Sequence, residues 1–191
     1  MKVMLAPMAG VTDLPFRLLA REFGADLVVS EMISAQALVF QNKRTKRMLE
    51  IHKRERPVAV QLFGDDPEIM AQAAQMVVEL VAPEMIDLNF GCPTPKIVKT
   101  GKGAALLKTP QLAAEIAAAV VRAVPIPVTA KIRLGWDKES INCLEVAKRL
   151  EEAGIKWLTV HARTRDQFYA GRADWAWIGK IKEKSRIPIV G

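Results

Sequence analysis

Short hydrophobic runs alternate along this chain with longer segments in which hydrophobic residues recur every three or four positions. The short runs are apolar at nearly every position, which is typical of strands buried on both faces of a parallel sheet. We predict strands at 3–9, 27–32, 58–63, 85–90, 128–133 and 157–162, and the start of another at 187–191. The segments between them are predicted helices, so the chain is a series of βα units.

Capping residues, prolines and glycines mark the ends of the predicted helices. The pairs Asp66-Pro67 and Thr109-Pro110 are typical of an N-cap followed by proline at the first helical position. Ser140 is predicted to cap a later helix whose end is marked by Gly154.

Two architectures contain parallel strands that alternate with helices, a doubly wound sheet and a (β/α)8 barrel. A dinucleotide-binding sheet should carry G-x-G-x-x-G after its first strand, but segment 7–13 lacks it. A barrel instead gathers functional residues at the C-terminal ends of many strands. Polar or special residues stand at these ends: Pro7, Met8, Ala9, Ser30, Glu31, Gln61, Asn89, Cys92, Lys131, Arg133, His161 and Arg163. We therefore predict an α/β fold, a (β/α)8 TIM barrel that stops after about six βα units and the start of strand seven.

Composition agrees with one globular domain. The chain has 191 residues, of which 50% are hydrophobic and 26% charged, enough for a sizeable core. We expect residues 1–191 to form one incomplete barrel domain, without a signal peptide or a transmembrane segment. The two cysteines offer neither a disulfide framework nor a metal-binding motif, which favours a reducing cytoplasm.

The net charge of +7 favours an acidic partner. The basic residues form three clusters. The first is Lys43, Arg44, Lys46 and Arg47, with Lys53, Arg54 and Arg56 close behind; the others are Lys96, Lys99 and Lys102, and Arg163, Arg165 and Arg172. One such cluster alone is most often a solvated helix face. Several clusters, two of them flanking the predicted active face, favour nucleic acid.

Segment 86–107 is the most informative part of the chain. It places Cys92 in a Gly-Cys-Pro turn at a predicted strand end, directly before a loop with three lysines. A free cysteine is often a small buried hydrophobe. A thiol in a turn beside a cationic loop instead suggests chemistry on a polyanionic substrate. The second cysteine, Cys143, falls on the helix predicted after Ser140.

Lys131 lies within an apolar strand, where an ammonium is costly unless it is paired. His161 is in a similar position on the next strand. Three interpretations of Lys131 stay open. It pairs with a core carboxylate such as Asp87, it forms a Schiff base as in aldolases, or it stabilises the charge of a reduced flavin while Gln61 bonds the ring edge.

Six motifs follow one another along nearly the whole chain. They are APMAGVTDLPFR (6–17), SEM (30–32), VQLFG (60–64), DLNFGCP (87–93), KIRLGW (131–136) and VHARTR (160–165). Together they resemble the motif series of the tRNA-dihydrouridine synthases, with the bacterial DusB-like branch the most similar. The resemblance implies an FMN-dependent barrel that reduces the C5–C6 double bond of selected uridines in tRNA, with NADPH as reductant. It also implies a helical C-terminal tRNA-binding domain, expected outside these 191 residues.

The resemblance further implies roles for individual residues. The expected cofactor-binding residues are Pro7, Met8, Ala9, Gln61, Lys131 and His161. The expected substrate-binding residues are Asn89, Lys96, Lys99, Lys102, Arg133 and Arg163. Cys92 is implied to be the catalytic proton donor, and Asn89 to help hold the target base. Two other functions stay open, a Schiff-base aldolase that uses Lys131 and a non-catalytic RNA-binding remnant.

Overall fold

The computed structural model describes residues 3–191, which form one sheet of parallel strands with helices between them. The strands are β1 (Met4–Leu5), β2 (Leu27–Val29), β3 (Ile33–Ser34), β4 (Val58–Phe63), β5 (Met85–Phe90), β6 (Val128–Arg133), β7 (Leu158–His161) and β8 (Ile189–Val190). The helices are α1 (Leu14–Glu22), α2 (Ala35–Val39), α3 (Lys43–Arg47), α4 (Pro67–Val81), α5 (Pro95–Val98), α6 (Pro110–Ala123), α7 (Cys143–Glu152) and α8 (Trp175–Lys184). Short 3-10 helices cover Lys53–Glu55, Gly103–Lys108 and Lys138–Ser140.

The strand order is β1-β2-β4-β5-β6-β7-β8, and β3 pairs with the end of β4. Every strand lies next to the strand of the neighbouring βα unit and runs parallel to it, which is the arrangement of a TIM barrel over its first seven units. The predicted fold class is therefore confirmed. The registers Gln61↔Asp87 and Asn89↔Lys131 bring polar residues of neighbouring strands side by side.

The three central strands occupy the predicted positions 58–63, 85–90 and 128–133, whereas the outer ones are shorter than predicted. The run 3–9 contains only the two-residue strand β1. Beyond it, Pro7 has no N–H to donate to a neighbouring strand, and the Met8 carbonyl accepts bonds from Val11 and Thr12. The chain therefore turns at the barrel mouth instead of continuing as a strand.

Of the two predicted Xaa-Pro helix starts, one has a side-chain N-cap bond and the other does not. The Asp66 side chain accepts from the N–H groups of Glu68 and Ile69, both at 2.9 Å, as expected for an N-cap. Thr109 occupies the N-cap of α6, but its side chain makes no capping bond.

The prediction that Ser140 caps a helix is wrong. Ser140 lies in the preceding 3-10 helix, and α7 begins at Cys143 after Asn142. A bridge between Gly135 and Ile141 holds this segment back against the end of β6, so the helix cannot begin earlier. Gly154 does follow the end of α7, with a φ of +98° that suits glycine.

The core lies between the sheet and the helices packed on it, chiefly α2, α4, α6 and α7. Its buried side chains include Leu62, Leu88 and Ile132 from the strands and Val77 and Ile116 from the helices. Within residues 3–191, no helix is both long and apolar enough to cross a bilayer.

A buried ion pair fastens α1 to the 3-10 helix before β4. Nε of Arg17 donates to Glu55 at 2.5 Å, and the two side chains are 3% and 0% exposed. The same guanidinium donates to the carbonyls of Thr12 and Glu50, and Glu55 also accepts from the His52 N–H. Every charge in this pair therefore has hydrogen-bond partners, as a buried pair requires.

Candidate active site

A pocket of about 190 Å³ opens at the C-terminal ends of the strands. Nine residues singled out from the sequence line it: Pro7, Met8, Ala9, Gln61, Asn89, Cys92, Lys131, Arg133 and His161. A second cavity of about 350 Å³ shares Pro7, Met8, Lys131, His161 and Tyr169 with the first and continues from the barrel mouth along the inner face of the sheet, towards Leu27 and Ala59. The parallel sheet thus brings residues from five strand ends to one place.

The turn that carries Cys92 is held from two sides. Its backbone N–H donates to Oδ1 of Asn89 at 2.9 Å, and its carbonyl accepts from Ala104 at 3.0 Å. Gly103 has a φ of +60°, and a Cβ there would lie only 2.8 Å from the Cys92 carbonyl oxygen, so glycine is required. The half-buried thiol faces the pocket, with Sγ 3.4 Å from Oγ1 of Thr94.

The Asn89 side chain is engaged within the protein. Oδ1 accepts from the N–H groups of Gly91 and Cys92, and Nδ2 donates to Oε1 of Gln61 at 2.8 Å. Asn89 is 9% exposed. Its evident task is to brace the thiol turn, which the sequence motif alone does not indicate.

Lys131 is half-buried at the centre of the pocket wall. Burial and the nearby charge of Arg133 lower its pKa to about 8, against the opposing effects of Asp87 and Cys92. Among residues 3–191, Lys131 forms no ion pair with a carboxylate. The Asp87 carboxylate is bonded instead to Gln61 and Thr129. The structure therefore contains no ion pair between Lys131 and Asp87.

His161 is in a cationic environment. Burial and the charges of Arg133, Lys131 and Arg163 lower its pKa to about 4, so the imidazole is neutral near pH 7. Nη1 of Arg163 lies 3.0 Å from Nε2 of His161. A guanidinium can only donate, so Nε2 accepts and Nδ1 carries the proton.

The two arginines predicted to bind substrate are largely occupied by main-chain carbonyls. The buried Arg133 donates from Nε to Gly91 at 2.9 Å, and from Nη1 to Thr164 and Phe168. Arg163 donates to the carbonyls of Ala170 and Gly171 in the same way. Both therefore hold the pocket loops in place, a task that a motif cannot reveal because the acceptors are backbone atoms.

The three loop lysines differ in their surroundings. Lys96 and Lys99 are exposed on and just after α5. Lys102 is 14% exposed, 3.5 Å from the Asp65 carboxylate, and donates to Gln36. Two of the three charges thus face solvent, while the third ties the loop to neighbouring elements.

The sequence can also be compared with known proteins. A family model described as "Dihydrouridine synthase (Dus)" matches residues 4–191. The chain belongs to this family. The resemblance found in the motifs is thereby confirmed, including its DusB-like character.

Two relatives illustrate the match within the Dus family. The chain is 47% identical over 189 residues to a "Probable tRNA-dihydrouridine synthase" of Rickettsia bellii, and 49% identical over 189 residues to "tRNA-dihydrouridine synthase B" of Pseudomonas aeruginosa. Each alignment covers 98% of this chain but only 58% and 56% of the relatives. The chain thus spans little more than half of their length.

A solved structure supports the fold alone. A nitroalkane oxidase from Streptomyces ansochromogenes superposes with a TM-score of 0.51 at 16% identity, over 98% of this chain and 57% of that one.

In this Dus-family barrel, the pocket also contains residues that sequence reasoning missed. Met32, Phe168 and Tyr169 line it. Tyr169 is 63% exposed, and its ring lies 5.9 Å from the His161 ring. The sequence signal for them was weak: an aromatic pair in the segment after β7, seven and eight residues beyond His161.

The basic clusters differ in how their charges are used. Arg54 and Arg56 pair with Glu22 and Glu84. Arg165 instead lies over the Trp136 ring, 4.4 Å from its centroid. A count of basic residues therefore overestimates the charge available to a partner.

Proposed function

We propose that this chain forms the catalytic barrel of a tRNA-dihydrouridine synthase that binds FMN, uses NADPH and reduces the C5–C6 double bond of uridine in tRNA. The names of the relatives, "Probable tRNA-dihydrouridine synthase" and "tRNA-dihydrouridine synthase B", support dihydrouridine formation in tRNA. The observation that carries it is the convergence of the Cys92 thiol, the Lys131 ammonium and the neutral His161 imidazole on one pocket. The two free thiols suit a reducing cytoplasm.

The donor set at the barrel mouth fits a flavin. Lys131 offers a cation without a carboxylate ion-pair partner among residues 3–191, as an anionic reduced ring requires. The segment 7–9 would line the ring, and His161 would offer its Nδ1–H. Gln61 also lines this pocket, while its side-chain amide is bonded to Asp87 and Asn89. When bound, FMN would supply hydride chemistry at C6 of uracil, with NADPH as the source of reducing equivalents.

Cys92 is suited to supply the proton. Reduction of a C5–C6 double bond needs a proton at C5, and a thiol held in a fixed turn can deliver it as a general acid. Sγ–H would transfer its proton to C5 and leave a thiolate beside the positively charged Lys131 and Arg133. Arg133 and Asn89, which also line the pocket, keep this turn in place.

The substrate must reach the pocket as an unstacked base. A uracil inside a paired or stacked segment is inaccessible, so the nucleotide has to leave its stack. The exposed Lys96 and Lys99 border the Cys92 turn and would bind the flanking phosphates. These features support tRNA as the substrate of the whole protein.

The test uses the purified protein and unmodified tRNA. We expect a yellow protein that releases FMN on denaturation, and a two-dalton mass increase in uridine after incubation with NADPH. A colourless protein that cannot be reconstituted with FMN contradicts the proposal. Borohydride trapping of a carbonyl compound on Lys131 would indicate an aldolase instead, and tRNA binding without any flavin would indicate a binding remnant.

A further inference from the structure

Hydrogen bonds connect a buried carboxylate to the thiol turn. Nε2 of Gln61 donates to Oδ2 of Asp87 at 2.7 Å, and Nδ2 of Asn89 donates to Oε1 of Gln61 at 2.8 Å. Oδ1 of Asn89 then accepts from the N–H of Cys92 at 2.9 Å. We call these contacts the Asp87–Cys92 relay. The three side chains are 4%, 1% and 9% exposed, so water does not readily replace these bonds.

The groups at the two ends of the relay require the same orientation of the Gln61 and Asn89 side-chain amides. Burial raises the pKa of Asp87, but hydrogen bonds from Thr129 and Gln61 and the charge of Lys131 act in the opposite direction. Both oxygens accept in the structure, as in the ionised form, and the Cys92 backbone N–H can only donate. If the Gln61 amide turned over, its oxygen would face the Asp87 carboxylate and its nitrogen would face Nδ2 of Asn89. Both contacts would be unfavourable, and buried polar groups would lose their partners.

We propose that Asp87 is a positioning residue that fixes the direction of the relay and thereby holds the Cys92 thiol where it can donate its proton. The inference rests on the proposed function for the role of Cys92. Thr129 anchors Asp87 from the other side, donating to Oδ1 at 2.6 Å. The carboxylate is thus held at both oxygens, as a fixed reference point needs to be.

Lys131 on β6 pairs in register with Asn89 on β5, so a charged residue lies next to the relay. Asp87 opposes the lowering of the Lys131 pKa. A substitution that removes the Asp87 charge can therefore change the pKa of Lys131 as well as break the relay. The test has to separate these two routes.

Amide hydrogen exchange separates them, because it reports on the Gly91 and Cys92 N–H groups directly. Asp87→Leu removes the acceptor but keeps the branched shape of the side chain, and we expect exchange at these two amides to accelerate about tenfold. Asp87→Asn is the matched control, since it removes the charge but keeps an oxygen for Gln61. There we expect exchange within about twofold of the parent protein.

Three exchange outcomes overturn the proposal. The first is unchanged exchange at Gly91 and Cys92 in Asp87→Leu. The second is an increase spread evenly over β4, β5 and β6, which would mean a general loss of stability. The third is equal acceleration in Asp87→Asn, which would make charge the cause. None of these readouts depends on uridine reduction, so failure of the proposed function remains distinguishable.

A double-mutant cycle tests the link to the reaction. Asn89→Ala cuts the relay next to Cys92. In that background, Asp87→Leu should slow uridine reduction by no more than about twofold relative to Asp87→Asn, which removes the same charge. A larger difference between these two double variants would show that Asp87 acts independently of Asn89 and would overturn the relay. Absence of uridine reduction in the parent protein would instead contradict the proposed function, while the exchange result would still decide the role of Asp87.

Discussion

Nη1 of Arg163 lies 3.0 Å from Nε2 of His161, so the imidazole presents its Nδ1–H as the remaining donor. Arg163 also bonds the carbonyls of Ala170 and Gly171. One side chain therefore sets both the tautomer of His161 and the position of the loop beside it. The His161 imidazole therefore has a fixed orientation and is uncharged near neutral pH.

We predict that His161 does not become charged above about pH 5. Burial is the main cause, followed by Arg133, Lys131 and Arg163. Arg163→Gln should raise the pKa of His161, whereas Arg165→Gln, which removes a cation stacked on Trp136, should not. Titration of the ring resonances by NMR measures this, and a midpoint near 6.5 in the parent protein would refute the prediction.

The lowered pKa of His161 also makes the stability of the fold depend on pH. The unfolded chain binds the His161 proton with a pKa near the ordinary 6.5, whereas the folded chain binds it only near 4. The stabilisation from this group is therefore complete above about pH 6.5 and is lost as the pH falls towards 4.

We predict that flavin-related activity depends on the protonated form of Lys131. Its pKa is lowered to about 8, so the rate of flavin reduction should fall as the pH rises through that value. Lys131→Ala should weaken FMN binding or slow its reduction, because the anionic ring loses its counter-charge. Flavin titration and stopped-flow absorbance measure the two effects. A Lys131→Ala protein with unchanged affinity and unchanged reduction rate would exclude this role.

Cys92→Ala should lower uridine reduction by about 10²–10⁴-fold, the usual contribution of a positioned general acid. Flavin content and NADPH oxidation without tRNA should stay nearly intact. Cys143→Ala is the control, because Cys143 is fully buried on α7 and burial raises the pKa of its thiol to about 11. Equal losses in the two variants would show that the proton donor is misassigned.

Among the lysines near the thiol turn, we predict that Lys96 and Lys99 contribute directly to tRNA affinity. Lys96→Ala and Lys99→Ala should each reduce the salt dependence of binding by about 0.7–0.9 in log–log slope. Lys102→Ala should leave the slope nearly unchanged, because Lys102 is bonded to Asp65 and Gln36. Binding titrations across a salt series measure the slopes, and a larger change for Lys102→Ala than for the other two would contradict this assignment.

The buried Arg17–Glu55 pair should be important for stability. Arg17→Met leaves the Glu55 carboxylate without its partner in the core, and we expect a loss of about 3–5 kcal/mol in the free energy of unfolding. Arg54→Ala breaks the exposed pair with Glu22 and should cost at most about 1 kcal/mol. Urea unfolding curves provide both values. Similar costs for the two substitutions would argue against a special role of the buried pair.

The sequence by itself determined the order of the elements and the location of the site. Strands buried on both faces are apolar at nearly every position, so 58–63, 85–90 and 128–133 were predictable to the residue. Helix α4 was equally clear, because the Asp66 cap and Pro67 act through neighbouring backbone groups. The pocket followed from the rule that parallel strands bring their C-terminal ends together.

Only the tertiary structure decided what each polar side chain does there. Arg133 braces loops through carbonyls of distant segments, and Asn89 is tied to Gln61 on the neighbouring strand; no local pattern encodes such contacts. The bonds from the Gly91 and Cys92 N–H groups to Asn89 are local by contrast, and belong to the turn itself. The protonation states of Lys131 and His161 depend on burial and on charges from neighbouring strands. The late start of α7 has the same origin, since the bridge that delays it pairs Ile141 with Gly135 beyond the end of β6. Local sequence fixes the backbone preferences of each element, whereas electrostatics and hydrogen-bond partners arise only when distant segments meet.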